Sequence, residues 1–289
     1  MGQAVVSRGQ LLFQRVVLVY QMPKIGSQTV EATLLRHAFP HPIYRFHYLS
    51  RTNAQNVRDS LASPEPNQAW KSQARQHLNF TREMSRLIRL RKLLCSCGLR
   101  IPQLEVIVGV RELIGLVLSS MFENHLRFVP NLDCMTTDKC REVLLGPKMF
   151  TTLQDWFDLE LKKFTGVDVY KTRFPHDQGY SIYENRFVRA LVYRFEALCN
   201  LAHILEEFLG YQIPCLVNRN LSVSKQYAEK YQHVKELLQL PPDFATTLYG
   251  CKMMRHFYSD KERNLFETKW TKPNGKATPS PVSLRHALR

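Results

Sequence analysis

The sequence predicts an α/β domain with three layers and a central, mostly parallel sheet. Short apolar runs rich in β-branched residues, such as Val16–Tyr20, alternate along the chain with segments of helical periodicity. Parallel strands need a crossover connection, usually a helix, so this alternation favours parallel pairing. The chain has 289 residues, which is enough to bury a core without disulfides or metal.

The first half of the chain alternates strands with helices. A turn rich in Pro, Gly and Ser separates the first strand from a helix that Pro40 and Pro42 end. The elements expected here are strands at Val16–Tyr20, Ile43–Leu49 and Gln103–Val110 and helices at Thr29–Ala38, Trp70–Leu94 and from Arg111 through Glu123.

The second half is predicted to be mainly helical, with Gly166 and Gly210 closing two of its helices. We expect residues 1–270 to form one domain, with 51–100 as a helical insertion or cap. Residues 271–289 are rich in Pro, Ser, Lys and Gly, which predicts a disordered tail. The elements expected here are helices at Thr152–Thr165, Ala197–Leu209, Val223–Leu240 and Asp260–Thr268 and a strand at Phe187–Phe195.

The charge balance predicts an anionic partner. Lys and Arg number 40 against 25 Asp and Glu, a net charge of +15. Such an excess is typical of proteins that bind a nucleotide, a nucleic acid, an acidic glycan or a membrane surface. No zinc finger, RNP-type strand or basic region joined to heptads is present, so we do not expect nucleic acid.

Cysteine usage and hydropathy predict a cytoplasmic protein. The seven cysteines are irregularly spaced, which argues against a disulfide framework. Cys95 and Cys97 are one residue too close for a zinc knuckle, and we expect no metal. No apolar run reaches the ~20 residues that span a membrane.

The turn after the first strand has the composition of an anion cradle. It reads Pro23-Lys24-Ile-Gly26-Ser27-Gln28-Thr29 and leads into a helix. Backbone N–H groups at a helix N-terminus favour an anion, Gly26 allows close approach, and Lys24 adds a positive charge. Because Lys24 precedes the glycine, the turn is not a Walker A loop. A plain turn with a solvated lysine is the alternative.

This turn resembles the 5′-phosphosulfate loop of the sulfotransferases, which use 3′-phosphoadenylyl sulfate as donor. The resemblance implies that Lys24 contacts the phosphosulfate and that Gly26, Ser27, Gln28 and Thr29 cradle the 5′-phosphate. The tryptophan that usually follows the loop is replaced by Val30 or a neighbour.

A second segment, Ile107–Ser119, resembles the sulfotransferase 3′-phosphate site, in which a strand leads into an Arg and a Ser eight residues later. The resemblance implies that Arg111 and Ser119 bind one phosphate, for which a guanidinium offers paired donors. Leu113 and Leu116 replace the usual Pro and second Arg. The alternative is that this segment only caps a helix through Glu112.

Two further resemblances extend over more of the chain. Val188–Gly210 resembles the strand and helix that follow in sulfotransferases, which implies a P-loop NTPase-like sulfotransferase fold. The whole chain also resembles a bacterial family of capsular polysaccharide synthesis proteins. That likeness is carried by Val19–Thr29, Gly166–Tyr170 and Arg255–Ser259 through Trp270.

Sulfuryl transfer needs a base for the acceptor proton, and histidine is the readiest base at neutral pH. His47 lies near the end of the second predicted strand, where ligands bind in parallel sheets, and the alternative is a hydrogen-bonded strand histidine without a catalytic role. Some carbohydrate sulfotransferases place a catalytic histidine there. His37 and His41 are weaker candidates, and Glu31 lies inside a helix.

We therefore predict a sulfotransferase that moves a sulfuryl group from 3′-phosphoadenylyl sulfate to a hydroxyl of a carbohydrate. Lys24 and His47 would be catalytic. A helix with Arg82, Arg86 and Arg89 on one stripe could be a solvated face, or could contact an anionic acceptor or a lipid headgroup. The alternatives are a non-catalytic nucleotide-binding protein of polysaccharide synthesis and a basic protein that binds nucleic acid or a membrane surface.

Overall fold

The computed structural model describes residues 14–50, 55, 68–146, 150–217, 219 and 225–272. The described residues contain one five-stranded sheet in the order β2-β1-β3-β5-β4. All neighbouring strands pair in parallel except β4 and β5. The strands are β1 (Val16–Tyr20), β2 (Ile43–Phe46), β3 (Leu104–Val110), β4 (Tyr180–Glu184) and β5 (Val188–Arg194).

Helices connect the strands and form most of the second half of the described chain. A 3-10 segment at Phe195–Asn200 precedes α7, and a π-helix at Phe157–Lys162 lies between α5 and α6. The α-helices are α1 (Ser27–Arg36), α2 (Gln68–Ser96), α3 (Leu113–Glu123), α4 (Thr137–Leu144), α5 (Thr151–Gln154), α6 (Lys163–Thr165), α7 (Leu201–Leu209), α8 (Ala228–Leu237), α9 (Pro242–Tyr249), α10 (Lys252–Phe257) and α11 (Asp260–Thr271).

The sheet has a hydrophobic core on each face. Alternate residues of a strand point to opposite faces, so Val17 and Val19 of β1 pack on one side, with α1 and α7. Leu18 and Tyr20 belong to the larger core on the other side, which includes α2, α3 and the C-terminal helices. The central strands β1 and β3 are buried throughout, as expected for a parallel sheet that is covered on both faces.

The connections that follow β1 and β3 pass to opposite faces of the sheet. The connection after β1 forms α1 on one face of the sheet, and the connection after β3 forms α3 on the other face. Because the two strands are neighbours, their carboxyl ends form a topological switch point, and the region between these ends is called the crevice below. Such a topological switch point is where open α/β sheets bind their ligands.

The predicted fold class is confirmed as α/β with a mostly parallel central sheet. The first strand has the predicted bounds, and Gly166 and Gly210 close helices in the left-handed conformation, with φ of 75° and 61°. The second strand ends at Phe46 rather than Leu49, because the backbone N–H groups of Leu49 and Ser50 bond a buried carboxylate instead of a strand.

Sequence reasoning missed β4, which pairs antiparallel with β5. Its residues are mostly half buried, so apolar and polar side chains do not alternate clearly along it as they do in a strand with one buried face. The helix expected at Thr152–Thr165 is interrupted by the π-helix. The predicted tail after Lys272 and most of the segment from residue 51 to 67 lie outside the described residues, and the division into domains remains a prediction.

The seven cysteines all lie in the described part of the chain. All seven cysteines are free thiols. None of the helices in the described part of the chain combines the length and the apolar character needed to cross a membrane.

Candidate functional site

The loop between β1 and α1 lies at the switch point and is built to present backbone donors. Lys24 and Gly26 both have left-handed backbone, with φ of 67° and 80°. Gly26 is the N-cap of α1, and among the described residues no side chain caps this helix. The first N–H groups of a helix have no acceptor within it, so those of Ser27–Thr29 are available at the crevice.

A buried hydrogen-bond network holds this loop against β3. The Gln21 side chain donates to the Ile25 carbonyl oxygen and accepts from the Gly109 N–H at 2.8 Å. The Tyr193 hydroxyl of β5 donates to the same Ile25 oxygen at 3.0 Å. At Gly109 a side chain would collide with the loop, because its Cβ would lie 2.3 Å from Ile25 Cγ2. The close approach of loop and strand therefore requires glycine.

Lys24 and Arg111 meet at this crevice. Arg111 Nη1 donates to the Lys24 carbonyl oxygen at 2.9 Å, and its guanidinium stacks over the Phe195 ring at 4.4 Å. Arg111 follows β3 directly, and Lys24 belongs to the loop after β1. Two segments that are distant in sequence thus bring two of the predicted site residues into contact.

The Lys24 ammonium is paired with a carboxylate at the end of α3. Nζ lies 3.3 Å from Glu123 Oε2. Burial lowers the pKa of Lys24, and Glu123 partly opposes that shift. Burial alone would raise the pKa of Glu123, but the Tyr227 hydroxyl, Lys24 and Lys225 together hold it below its usual value. Glu123 therefore carries a negative charge beside the loop.

Ser119 lies on the same side of α3 as Glu123. Residues four apart share a helix face, so Ser119 is one turn before the carboxylate that contacts Lys24. Ser119 is half buried. Ser119 is therefore on the helix face that carries the partner of Lys24, and its predicted role at a 3′-phosphate stays a prediction.

Glu112, next to Arg111, caps a helix, which is the role that the sequence analysis gave as the alternative for this segment. Its carboxylate caps α3 by accepting from the N–H groups of Ile114 and Gly115, both at 2.8 Å. The Tyr249 hydroxyl also donates to it. The cap fixes the start of α3, and Arg111 remains directed at the loop after β1.

Arg111 acts electrostatically on two lysines from the C-terminal helices, Lys235 and Lys269, and sequence reasoning missed both. Burial lowers the pKa of Lys235, and Lys269 and Arg111 lower it further. Desolvation also lowers the pKa of Lys269, where Arg111 adds to the effect and Glu112 and Glu196 oppose it. Lys235 and Lys269 therefore lie near enough to interact with Arg111, which follows β3. No local motif marks these lysines, because only folding brings their helices to this strand.

The remaining loop residues differ in their surroundings. Ser27 is buried and Gln28 is exposed. The Thr29 hydroxyl donates to the carbonyl oxygen of Arg219 at 3.3 Å and accepts from its N–H at 3.4 Å, so it contacts the Arg219 backbone. Any contact of Thr29 with an anion in this arrangement would involve its backbone N–H.

His47 lies beside the loop. It follows β2 directly, and its Nδ1 donates to the Gln21 carbonyl oxygen at 2.8 Å. Its own carbonyl oxygen accepts from the Trp156 indole at 3.0 Å. A neutral imidazole that donates through Nδ1 has its basic lone pair on Nε2.

The weaker candidates for a base lie elsewhere. His37 follows the far end of α1 and contacts the Cys215 carbonyl oxygen at 2.9 Å. Burial and the nearby Arg15 lower the pKa of His41. Arg15 precedes β1, at the amino end of that strand, whereas the crevice lies at its carboxyl end. Glu31 is ion-paired with Arg45 at 2.8 Å. Of these residues, only His47 lies at the crevice.

A buried carboxylate that the sequence analysis did not single out supports His47 and the strand ends. Glu160 is fully buried in the π-helix and accepts from the N–H groups of Leu49 and Ser50 at 2.8 and 2.9 Å. The Tyr20 hydroxyl at the end of β1 donates to the same oxygen. A Glu four residues after a Trp in a helical segment was the available signal, but its partners are distant in sequence.

The described residues include no group of three or more His, Cys, Asp or Glu side chains that could hold a metal ion. The site described above consists of cations, backbone donors, one histidine and the carboxylates of Glu112, Glu123 and Glu160. Such a set suits an anionic ligand that carries phosphate groups.

Comparison with known proteins connects the chain to one family. The model of the family described as "Putative capsular polysaccharide synthesis protein" matches residues 134–259, which is less than half of the chain. The resemblance to this family is confirmed for that segment. The segment contains Trp156 and Glu160 but neither Lys24 nor Arg111. A comparison with curated proteins found no match, and a comparison with solved structures found none either.

We expect Gly109→Ala to lower the free energy of unfolding by about 1–3 kcal/mol, because the added methyl group has no room beside Ile25. Chemical denaturation measures this loss. In an Ile25→Ala background the same change should cost less, since the obstructing side chain is gone. Equal costs in the two backgrounds would show that the packing at this contact is looser than described.

We expect Glu160→Gln to lower the free energy of unfolding by about 1.5–3 kcal/mol, because a neutral amide is a weaker acceptor for two buried N–H groups. The matched control is Glu142→Gln, whose exposed ion pair with Lys139 should contribute less than about 1 kcal/mol. Urea titrations of both variants give the comparison. A Glu160 variant as stable as its control would contradict this role.

Proposed function

We propose that this protein is a sulfotransferase that moves the sulfuryl group of 3′-phosphoadenylyl sulfate to a hydroxyl of a carbohydrate. The observation that carries the proposal is the contact of Arg111 with the Lys24 loop at the switch point of the sheet. One ligand with phosphates at both ends of its ribose could bridge these two cations. The uncapped start of α1 supplies the backbone donors that a phosphate needs.

In this proposal the donor is held by groups from both strand ends. The N–H groups of Ser27–Thr29 and the Lys24 ammonium bind the 5′-phosphosulfate, and Arg111 with Ser119 binds the 3′-phosphate. Lys235 and Lys269 strengthen the positive potential near Arg111. The proposal implies a P-loop-like sulfotransferase fold, which the mostly parallel sheet and the strand, loop and helix at its centre support.

The proposed transfer is an in-line displacement. An acceptor hydroxyl oxygen forms a bond to the sulfur while the bond from sulfur to the bridging phosphate oxygen breaks, and that phosphate leaves with the electron pair. His47 Nε2 takes the acceptor proton, and Lys24 stabilises the negative charge that grows on the leaving phosphate. The Nδ1 bond to Gln21 fixes the imidazole orientation needed for this role.

The family match favours a carbohydrate acceptor, since its description refers to polysaccharide synthesis. The acceptor would approach the crevice from the side of His47. A cytoplasmic location would give access to the donor nucleotide. A nucleotide-binding protein without transferase activity is the alternative that the experiments below separate.

We expect adenosine 3′,5′-bisphosphate, but not ATP, to raise the melting temperature of the protein, because a ligand that binds only the folded state stabilises it. Lys24→Met should remove most of this shift and the transfer of labelled sulfate to a glycan panel. His47→Asn keeps a donor for Gln21 but lacks a base, so it should keep the thermal shift and lose roughly 10²–10⁴-fold in transfer rate.

The matched control is His37→Asn, which lies outside the crevice and should retain transfer. A thermal shift without transfer by the wild-type protein on any glycan tested would favour the non-catalytic alternative. Absence of a shift with adenosine 3′,5′-bisphosphate would contradict the proposed donor. Full turnover by His47→Asn would show that another group is the base.

We expect Glu123→Gln to bind adenosine 3′,5′-bisphosphate about two- to fivefold more tightly. In the wild type Lys24 must give up its ion pair with Glu123 before it contacts the phosphate, and the variant has no such ion pair to break. Calorimetric titration measures the change. Glu142→Gln makes the same change in net charge away from the crevice and should bind as the wild type does. Unchanged or weaker binding by Glu123→Gln would contradict the view that Glu123 competes with the ligand.

A further inference from the structure

We propose that the outer face of α2 is a docking surface for a membrane that contains anionic lipids. The surface consists of Arg82, Arg86, Arg89, Leu90 and Leu93 and is called the α2 face below. This inference stands independently of the proposed enzyme activity, since none of these residues belongs to the crevice.

The opposite side of α2 is anchored to the domain. Met84, Ile88 and Cys95 are buried in the larger core. Arg91 is fully buried and donates to the carbonyl oxygens of Gln14 and Pro102 at 3.0 and 2.6 Å. Because these contacts recur along the helix, its orientation on the sheet is set, and the side turned away from the core is presented to the surroundings.

The α2 face combines positive charge with apolar side chains on a single stripe. Arg82, Arg86, Arg89 and Leu93 follow one another at intervals of four, three and four residues, which is the repeat of one helix face. Leu90 lies at the edge of this stripe. All five residues are exposed, and Leu90 and Leu93 are 42% and 59% exposed.

The arginines of the α2 face have charge available for a partner. Within the part of the chain that the structure describes, the hydrogen bond of Arg89 is to the carbonyl oxygen of Ser85 in its own helix. Across the described part of the chain, none of these three guanidiniums is ion-paired with a carboxylate. Glu83 is the only acidic residue between positions 81 and 96. The stripe therefore retains a net positive charge.

Exposed leucines are concentrated in the last turns of α2 and just after it. Nine large hydrophobic side chains are exposed among the described residues, and Leu90, Leu93 and Leu99 fall within ten positions of one another. Arg100, also exposed, continues the basic character past the helix. Single exposed leucines are ordinary, but leucines set among unpaired arginines along one face form an amphipathic surface.

A membrane fits this surface better than a hydrated polyanion does. An acidic glycan or a nucleic acid would pair with the arginines, but it would gain little from Leu90 and Leu93. At a bilayer surface, arginines meet anionic headgroups while leucine side chains enter the boundary of the acyl chains. The α2 face would thus lie flat on the bilayer, with the sheet behind it.

The test measures sedimentation of the full-length protein with vesicles of phosphatidylcholine mixed with phosphatidylglycerol, and with vesicles of phosphatidylcholine alone. We expect binding to the mixed vesicles only. The triple variant Arg82→Gln, Arg86→Gln, Arg89→Gln should lose at least about tenfold in partitioning. The double variant Leu90→Ser, Leu93→Ser should also bind more weakly, although its charge is unchanged.

The matched control, Lys171→Gln, Arg173→Gln, Arg255→Gln, removes the same charge from exposed positions outside α2 and should bind vesicles as the wild type does. Circular dichroism and thermal melting confirm that each variant is folded. Three results would overturn the proposal: no binding to the mixed vesicles, equal losses in the arginine triple variant and its control, or full binding by the leucine variant. The last result, with heparin binding lost in the arginine variant, would indicate a polyanion site instead.

Discussion

The close pairing of β1 with β3 is the constraint on which the candidate site depends. The two strands are hydrogen-bonded neighbours whose following helices leave on opposite faces of the sheet. That divergence defines the crevice, and glycine at position 109 lets the Lys24 loop lie directly against β3. With the loop in this position, Arg111 reaches the Lys24 carbonyl oxygen. A bulkier residue at this one contact would separate the two cations that the proposed ligand must bridge.

Several lysines lie close to other positive charges at the crevice, in positions where burial partly excludes water. Lys24, Lys235 and Lys269 all have a lowered pKa, with burial as the main cause. Carboxylates of Glu112, Glu123 and Glu196 lie among these cations and reduce their mutual repulsion. Such a site favours a strongly anionic ligand, because its phosphates replace both water and the weaker internal partners of the cations.

Residues from the second half of the chain hold the segments that border the crevice. Trp156 and Glu160 hold the residues that follow β2, and Tyr249 holds the cap of α3. All three lie inside the segment that matches the polysaccharide synthesis family, whereas the loop and Arg111 lie outside it. The match therefore concerns the framework of the site, and the loop chemistry has to be tested by itself.

The sequence alone determined the α/β class, the first strand with its bounds, and the turn that carries Lys24 and Gly26, because these depend on local periodicity and on residues that are adjacent in the chain. It also indicated Arg111 and His47 as residues at strand ends. Only the tertiary structure decided that Lys24, Arg111 and Glu123 meet, that Glu160 is buried beneath the second strand, and that Arg111 lies close enough to two C-terminal lysines to lower their pKa. These facts depend on which strands are neighbours and on which face each helix packs, and neither is a property of any local stretch of sequence.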